Sequence, residues 1–188
     1  MAVGPKEVNK GLDFRSLLNY KTVLILLIVV ALNVAVFVLL WRLDIFVNSD
    51  LYGYGLVFSY SWGDSYWYYN QLTWTFLTGA AALAACSIIP HYLHSRRPSG
   101  FSKTFGFLLP TAALIYQVLS LFFLNQVNFV VRYTLYQYGL SVTFDWTAAY
   151  DLIYGASFVL MTLSLLLLII PAVRSLELIK VKWEQEAE

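Results

Sequence analysis

Four stretches of this sequence, Thr22–Leu43, Gln71–Leu93, Phe105–Val131 and Ala148–Leu176, each exceed twenty residues and carry almost no charge. A bilayer core is crossed by a helix of about 20 mostly apolar residues. In lipid the backbone finds no water to bond, so a helix is the default for each stretch. The expected fold is an all-α membrane protein, a bundle of four transmembrane helices. Composition agrees. Charged residues are 12% of the chain and hydrophobic ones 60%, whereas a soluble domain carries about 25% charged residues. The expected solvent is therefore a lipid bilayer.

Net charge is +1, which implies no nucleic-acid partner. The single cysteine, Cys86, excludes an internal disulfide and a CxxC redox or zinc site. The first apolar run is too long for a signal-peptide core and ends in no small-residue cleavage site, so it reads as a retained span.

Orientation follows from lysine and arginine. Ten of the twelve basic residues fall in three segments: Lys6, Lys10, Arg15 and Lys21; Arg96, Arg97 and Lys103; Arg174, Lys180 and Lys182. The other two connections hold only Arg42 and Arg132. Basic connections stay inside. The expected placement is an integral membrane protein, in the plasma membrane, with both termini cytoplasmic and two loops extracellular. Trp41, Trp62, Trp67, Trp74 and Trp146 fall at or near the outer ends of spans, where an amphipathic ring is at home.

The two outer loops resemble each other. Leu51–Trp62 reads LYGYGLVFSYSW and Leu135–Trp146 reads LYQYGLSVTFDW, at a constant offset of 84. Downstream, Ile88-Ile89-Pro90 matches Ile169-Ile170-Pro171 if three residues are deleted. A parallel tandem repeat of two spans per copy accounts for this, related by an axis along the membrane normal. The division is then a cytoplasmic segment at 1–21, repeat 1 at 22–94, a cytoplasmic loop at 95–104, repeat 2 at 105–178, and a cytoplasmic tail at 179–188. The three basic segments join or flank the copies.

Both loop stretches alternate with period two. One face carries Tyr52, Tyr54, Leu56, Phe58, Tyr60 and Trp62; in the second copy it carries Tyr136, Tyr138, Leu140, Val142, Phe144 and Trp146. Such alternation is the signal of a half-buried strand. The expectation is a short extracellular two-stranded β ribbon whose aromatic face caps the bundle. Tyr-Gly-Tyr-Gly at 52–55 is similar to a potassium-channel filter, yet the preceding Thr-Val is missing and the second copy reads Tyr-Gln-Tyr-Gly. It is read as part of the strand.

Within the spans, Asn33 and Gln117 occupy positions 84 apart. Buried amides bond between helices or line a ligand site. His91 and His94 sit one turn apart near an inner helix end, and Tyr116 lies mid-span. These three are the candidates for a cofactor pocket, although no cofactor or metal site is evident. Asp151 could pair with Arg132 or Arg42. Pro110 reads as a kink, and Pro90 and Pro171 as helix terminators. Span two carries Gly79-Ala80-Ala81-Ala82 and span four Gly155-Ala156-Ser157, small residues that allow close helix approach.

Four spans, inside termini and a β-rich outer loop make the layout similar to claudin-type tetraspans. The claudin Gly-Leu-Trp and paired-cysteine pattern is absent from both outer loops, so no residue role passes from that family. No nucleophile–base pair, phosphate loop or carboxylate pair is present, which argues against catalytic activity. Three functions remain open. The first is an accessory or interaction subunit that packs with other membrane proteins or with copies of itself. The second is a small channel or transporter with a polar site on the axis at Asn33 and Gln117. The third is a subunit contributing a quinone or haem pocket to a redox complex.

Overall fold

The computed structural model describes residues 14–51, 55, 66–96, 99–139 and 145–186. Four long helices account for most of the described residues: α1 (Phe14–Phe46), α2 (Tyr66–Arg96), α3 (Gly100–Gln137) and α4 (Asp145–Glu186). The end of α1 widens into one π-helical stretch, Val47–Leu51. Four helical segments, the first running from α1 into the π-helical stretch, are long and apolar enough to cross a bilayer: Tyr20–Ser49, Tyr66–His94, Gly100–Gln137 and Ala148–Ser175. The protein is an integral membrane four-helix bundle.

Burial follows a heptad with unusual regularity. The buried positions of α1 are Thr22, Leu26, Val29, Asn33, Val36, Leu40, Leu43 and Val47. Their spacing alternates between four and three residues, the seam of a coiled coil. In α2 the series is Tyr66, Asn70, Thr73, Leu77, Ala80, Ala84, Ser87 and His91. A pattern held to 3.5 residues per turn winds helices left-handedly around one another. The residues between these positions, such as Leu27, Ile28, Val34 and Val38 on α1, are just as apolar and exposed, because they face lipid.

The four helices form a ring. Each packs on the next and α1 closes on α4, while the diagonal pairs make no close backbone approach among the described residues. Neighbours run antiparallel, so the ends of α1, α2, α3 and α4 alternate. The α2–α3 interface is the most extensive, and its tightest point is Gly79, over which the Tyr116 ring lies. A Cβ on Gly79 would sit 2.4 Å from Tyr116 Cδ1. A reciprocal serine box starts α3: Ser99 Oγ accepts from the Ser102 N–H at 3.2 Å and Ser102 Oγ accepts from the Ser99 N–H at 3.1 Å. This satisfies orphan donors at the helix start.

Two expectations are corrected here. At its described residues the second outer stretch is helix and turn rather than strand. Leu135, Tyr136 and Gln137 belong to the last turn of α3, Tyr138 and Gly139 form a turn, and Asp145 and Trp146 already open α4. A helix satisfies its own backbone at every step, whereas a lone strand does not. Gly139, at φ +68, takes the left-handed conformation that ends α3, the usual glycine role past a helix terminus. Tyr136 and Tyr138 are 74% and 49% exposed. No strand occurs among the described residues. Tyr52, Tyr54, Phe58, Tyr60, Trp62 and Phe144 lie outside them. The second correction concerns proline: Pro90 and Pro171 lie inside α2 and α4, which run on to Arg96 and Glu186. A proline leaves one carbonyl of the preceding turn unbonded, and packed neighbours make that tolerable in a membrane helix.

Candidate functional site

The apolar core is divided. One buried cluster includes Val36, Leu40, Leu77, Leu124 and Met161, towards the end opposite the termini. The other holds Leu26, Val29, Ala84, Ala113 and Leu168, towards the end that carries the termini. Between them sits a polar layer. Asn33 is 1% exposed, and Gln117 and Ser164 are 0% exposed. Ser164 Oγ donates to Asn33 Oδ1 at 3.2 Å, and Gln117 Nε2 donates to the Met161 carbonyl at 3.3 Å. Met161 and Ser164 are one turn apart on α4, so α4 anchors both amides. Asn33 Nδ2 and Gln117 Oε1 are buried without a hydrogen-bond partner among the described residues. One turn further along α3, Ser120 Oγ donates to the Thr73 carbonyl of α2 at 3.1 Å.

A second polar cluster ties α2, α3 and α4 near the end with the termini. His91 Nδ1 lies 2.8 Å from the Ser87 carbonyl. A carbonyl only accepts, so Nδ1 carries the proton and Nε2 is left as an acceptor when the ring is neutral. Nε2 faces Ser175 Oγ at 3.5 Å. Ser175 Oγ itself lies within 2.8 Å of the Gly106 carbonyl and 2.7 Å of the Pro171 carbonyl, to either of which its proton can go. His94 Nδ1 lies 3.1 Å from Ser102 Oγ. His94 thus joins α2 to α3, and His91 lies beside Ser175 of α4. Among the described residues no three of His, Cys, Asp and Glu gather as a metal site would require.

At the opposite end, Asp44 of α1 accepts from Asn70 Nδ2 at 3.0 Å and from the Tyr66 hydroxyl at 3.4 Å. On the other side of the bundle Arg132 Nη2 donates to Asp151 Oδ1 at 2.6 Å, with both side chains about half exposed. Asn128 Oδ1 and the Tyr150 hydroxyl are buried there without a partner among the described residues. Phe37 and Trp74 meet edge-on, ring centres 4.2 Å apart, and tie α1 to α2.

Tyr116 faces outward, 37% exposed, between Gly79 and Phe76. It belongs to an aromatic ladder with Phe76, Phe123 and Tyr69 along the α2–α3 seam. Asn33 and Gln117 share one layer; His91, His94 and Tyr116 are not brought together with it. Sequence reading missed Ser164, Ser175, Asp44 and Tyr150. For three of these the signal was heptad phase: Ser164, Ser175 and Tyr150 continue a series through Ser157, Met161, Leu168 and Pro171.

On the outward face of α4, Asp151, Leu152, Gly155, Ala156, Val159 and Leu160 line a shallow open groove. Gly155 leaves open space beside its backbone.

No protein-family model, curated protein or solved structure matches the chain.

Proposed function

We propose that this protein is a non-catalytic tetraspan subunit that packs beside other membrane proteins. The reading is carried by one observation: a groove lined by small residues lies on the outside of the bundle. Buried side chains occupy successive heptad positions through the bundle, with helix-to-helix bonds at many of the polar ones. The outward face of α4 instead offers Gly155 and Ala156 beneath Leu152 and Val159. In lipid, helices associate by close packing of small residues rather than by hydrophobic exclusion. Purification from native membranes in mild detergent is expected to retain a stoichiometric membrane-protein partner. An isolated monomer under those conditions would count decisively against this function.

The same reading places the termini and the 95–104 segment in the cytoplasm on the strength of their lysines and arginines. It also holds the chain to be a duplicated two-span unit. Burial supports a gap-free offset of 84: the buried α1 series from Thr22 to Val47 recurs in α3 from Gly106 to Val131. In the second helix of each unit, Tyr66 corresponds to Tyr150, Thr73 to Ser157, Leu77 to Met161 and His91 to Ser175, all buried. His91 and Ser175 face each other, as equivalent residues beside a two-fold axis do. The three-residue deletion is then unnecessary, since it would set buried Leu77 against exposed Phe158.

One observation favours a second function. The unpartnered amide atoms of Asn33 and Gln117 lie where a pathway along the axis would run. Flux of small solutes into proteoliposomes, abolished by Asn33→Leu with Gln117→Leu, would support a transporter. Flux unchanged by the pair would remove that route.

A further inference from the structure

The two unpartnered atoms of the central layer are complementary. Asn33 turns its carbonyl oxygen to Ser164, which leaves the amide N–H groups of Nδ2 free. Gln117 turns its amide nitrogen to Met161, which leaves the Oε1 acceptor free. α4 holds one amide by its oxygen and the other by its nitrogen, and because the Met161 carbonyl only accepts, Gln117 cannot turn over without giving up its bond. The Asp44–Asn70 contact sets the α1–α2 register and places Ala80 opposite Asn33. The next layer holds Ala84 and Ala113. Small side chains, Ala80, Ala84, Ala113 and Ser164, are buried at and next to this level. Each unmade bond costs about 1–3 kcal/mol for a buried group, and lipid supplies no substitute partner.

We infer that this layer is a binding site for one water molecule, which accepts from Asn33 Nδ2–H and donates to Gln117 Oε1. Ser164 Oγ, whose proton goes to Asn33, offers a lone pair for the second water proton. Three polar neighbours is the usual complement of a buried structural water. The bridge joins α1 to α3 across the ring, where the backbones themselves do not meet. The inference does not depend on which partner the bundle packs against.

The test is solid-state NMR of the full chain in liposomes, with ¹⁵N in asparagine and glutamine side chains. Magnetisation is transferred from water on a millisecond timescale, and the Asn33 resonance is assigned by its loss in Asn33→Leu. The expected result is a water-transferred Asn33 amide signal in the parent protein that falls to background in Gln117→Met, which keeps the side-chain length and removes the acceptor. No transfer to Asn33 in the parent protein overturns the inference. Transfer that persists undiminished in Gln117→Met overturns the bridge to Gln117. Should Gln117→Met not fold, Gln117→Asn, which withdraws the acceptor by one methylene, gives the same readout.

Discussion

Gly79→Ala is expected to destabilise the bundle by about 1–3 kcal/mol, the range for overpacking a closed interface, and Gly79→Leu to prevent assembly of α2 against α3. The ground is geometric. A Cβ at Gly79 would lie 2.4 Å from Tyr116 Cδ1 and 2.6 Å from Cε1, far inside any real carbon contact. The ring can escape only by swinging out into lipid, which forfeits its edge contact with Phe76 at 5.3 Å between centroids. The α2–α3 interface is the most extensive in the molecule, so strain there propagates to the whole bundle. The control is Gly106→Ala, whose Cβ would meet His91 Cε1 at 3.7 Å, an ordinary contact. That variant is expected to be neutral or slightly stabilising, because alanine is the better helix former by about 1 kcal/mol. Reversible unfolding in mixed micelles measures all of these. The decisive comparison is Gly79→Ala with Tyr116→Ala. If the ring is the obstacle, the double variant loses less than the two single losses together. Strict additivity would mean that Gly79 matters for another reason.

The number and length of the spans could be read directly, since nothing except lipid accommodates four such uncharged runs. Which face of each helix turns inward could not. In a soluble bundle the exposed face is polar and betrays the phase. Here Leu27, Val34 and Val38 face lipid and are as apolar as Leu26, Val29 and Val36 in the core. The phase is marked in part by polar residues: Asn33, Thr73, His91, Gln117, Ser164 and Ser175 are buried, whereas Thr75 and Thr78 are exposed. Hydrophobicity has little to gain from burying any face in lipid, so polar side chains and small residues decide the interior. The misread strand has a similar origin. Its first three residues continue α3, and three residues cannot distinguish a period of 2 from one of 3.6. Tyr136 and Tyr138 suggested a buried aromatic face, yet exposed tyrosine at a span end is the ordinary interfacial anchor. The prolines misled because a terminator in water is tolerated within a packed membrane helix.

Asp44→Leu is expected to cost about 2–4 kcal/mol, since a hydrogen bond to a charged group contributes about 1.5–3 kcal/mol and the buried Asn70 amide is left without its acceptor. Asn70 Nδ2 would lose its 3.0 Å acceptor and the Tyr66 hydroxyl its 3.4 Å one. Asn70 is 6% exposed and Tyr66 0% exposed, so water cannot substitute for either bond. Asp44→Asn keeps an oxygen in place and loses only the charge assistance, with an expected cost of about 1 kcal/mol. The position 84 residues after Tyr66 supplies the contrast, because Tyr150 is equally buried but its hydroxyl has no partner among the described residues. Removing an oxygen that makes no bond relieves a desolvation penalty. Tyr150→Phe is therefore expected to be neutral or stabilising, whereas Tyr66→Phe destabilises by leaving Asp44 with one donor. The same unfolding measurement ranks the four variants. Equal losses for Tyr66→Phe and Tyr150→Phe would mean that the second hydroxyl is bonded after all, and that the two ends of the proposed duplication differ less than their side chains suggest.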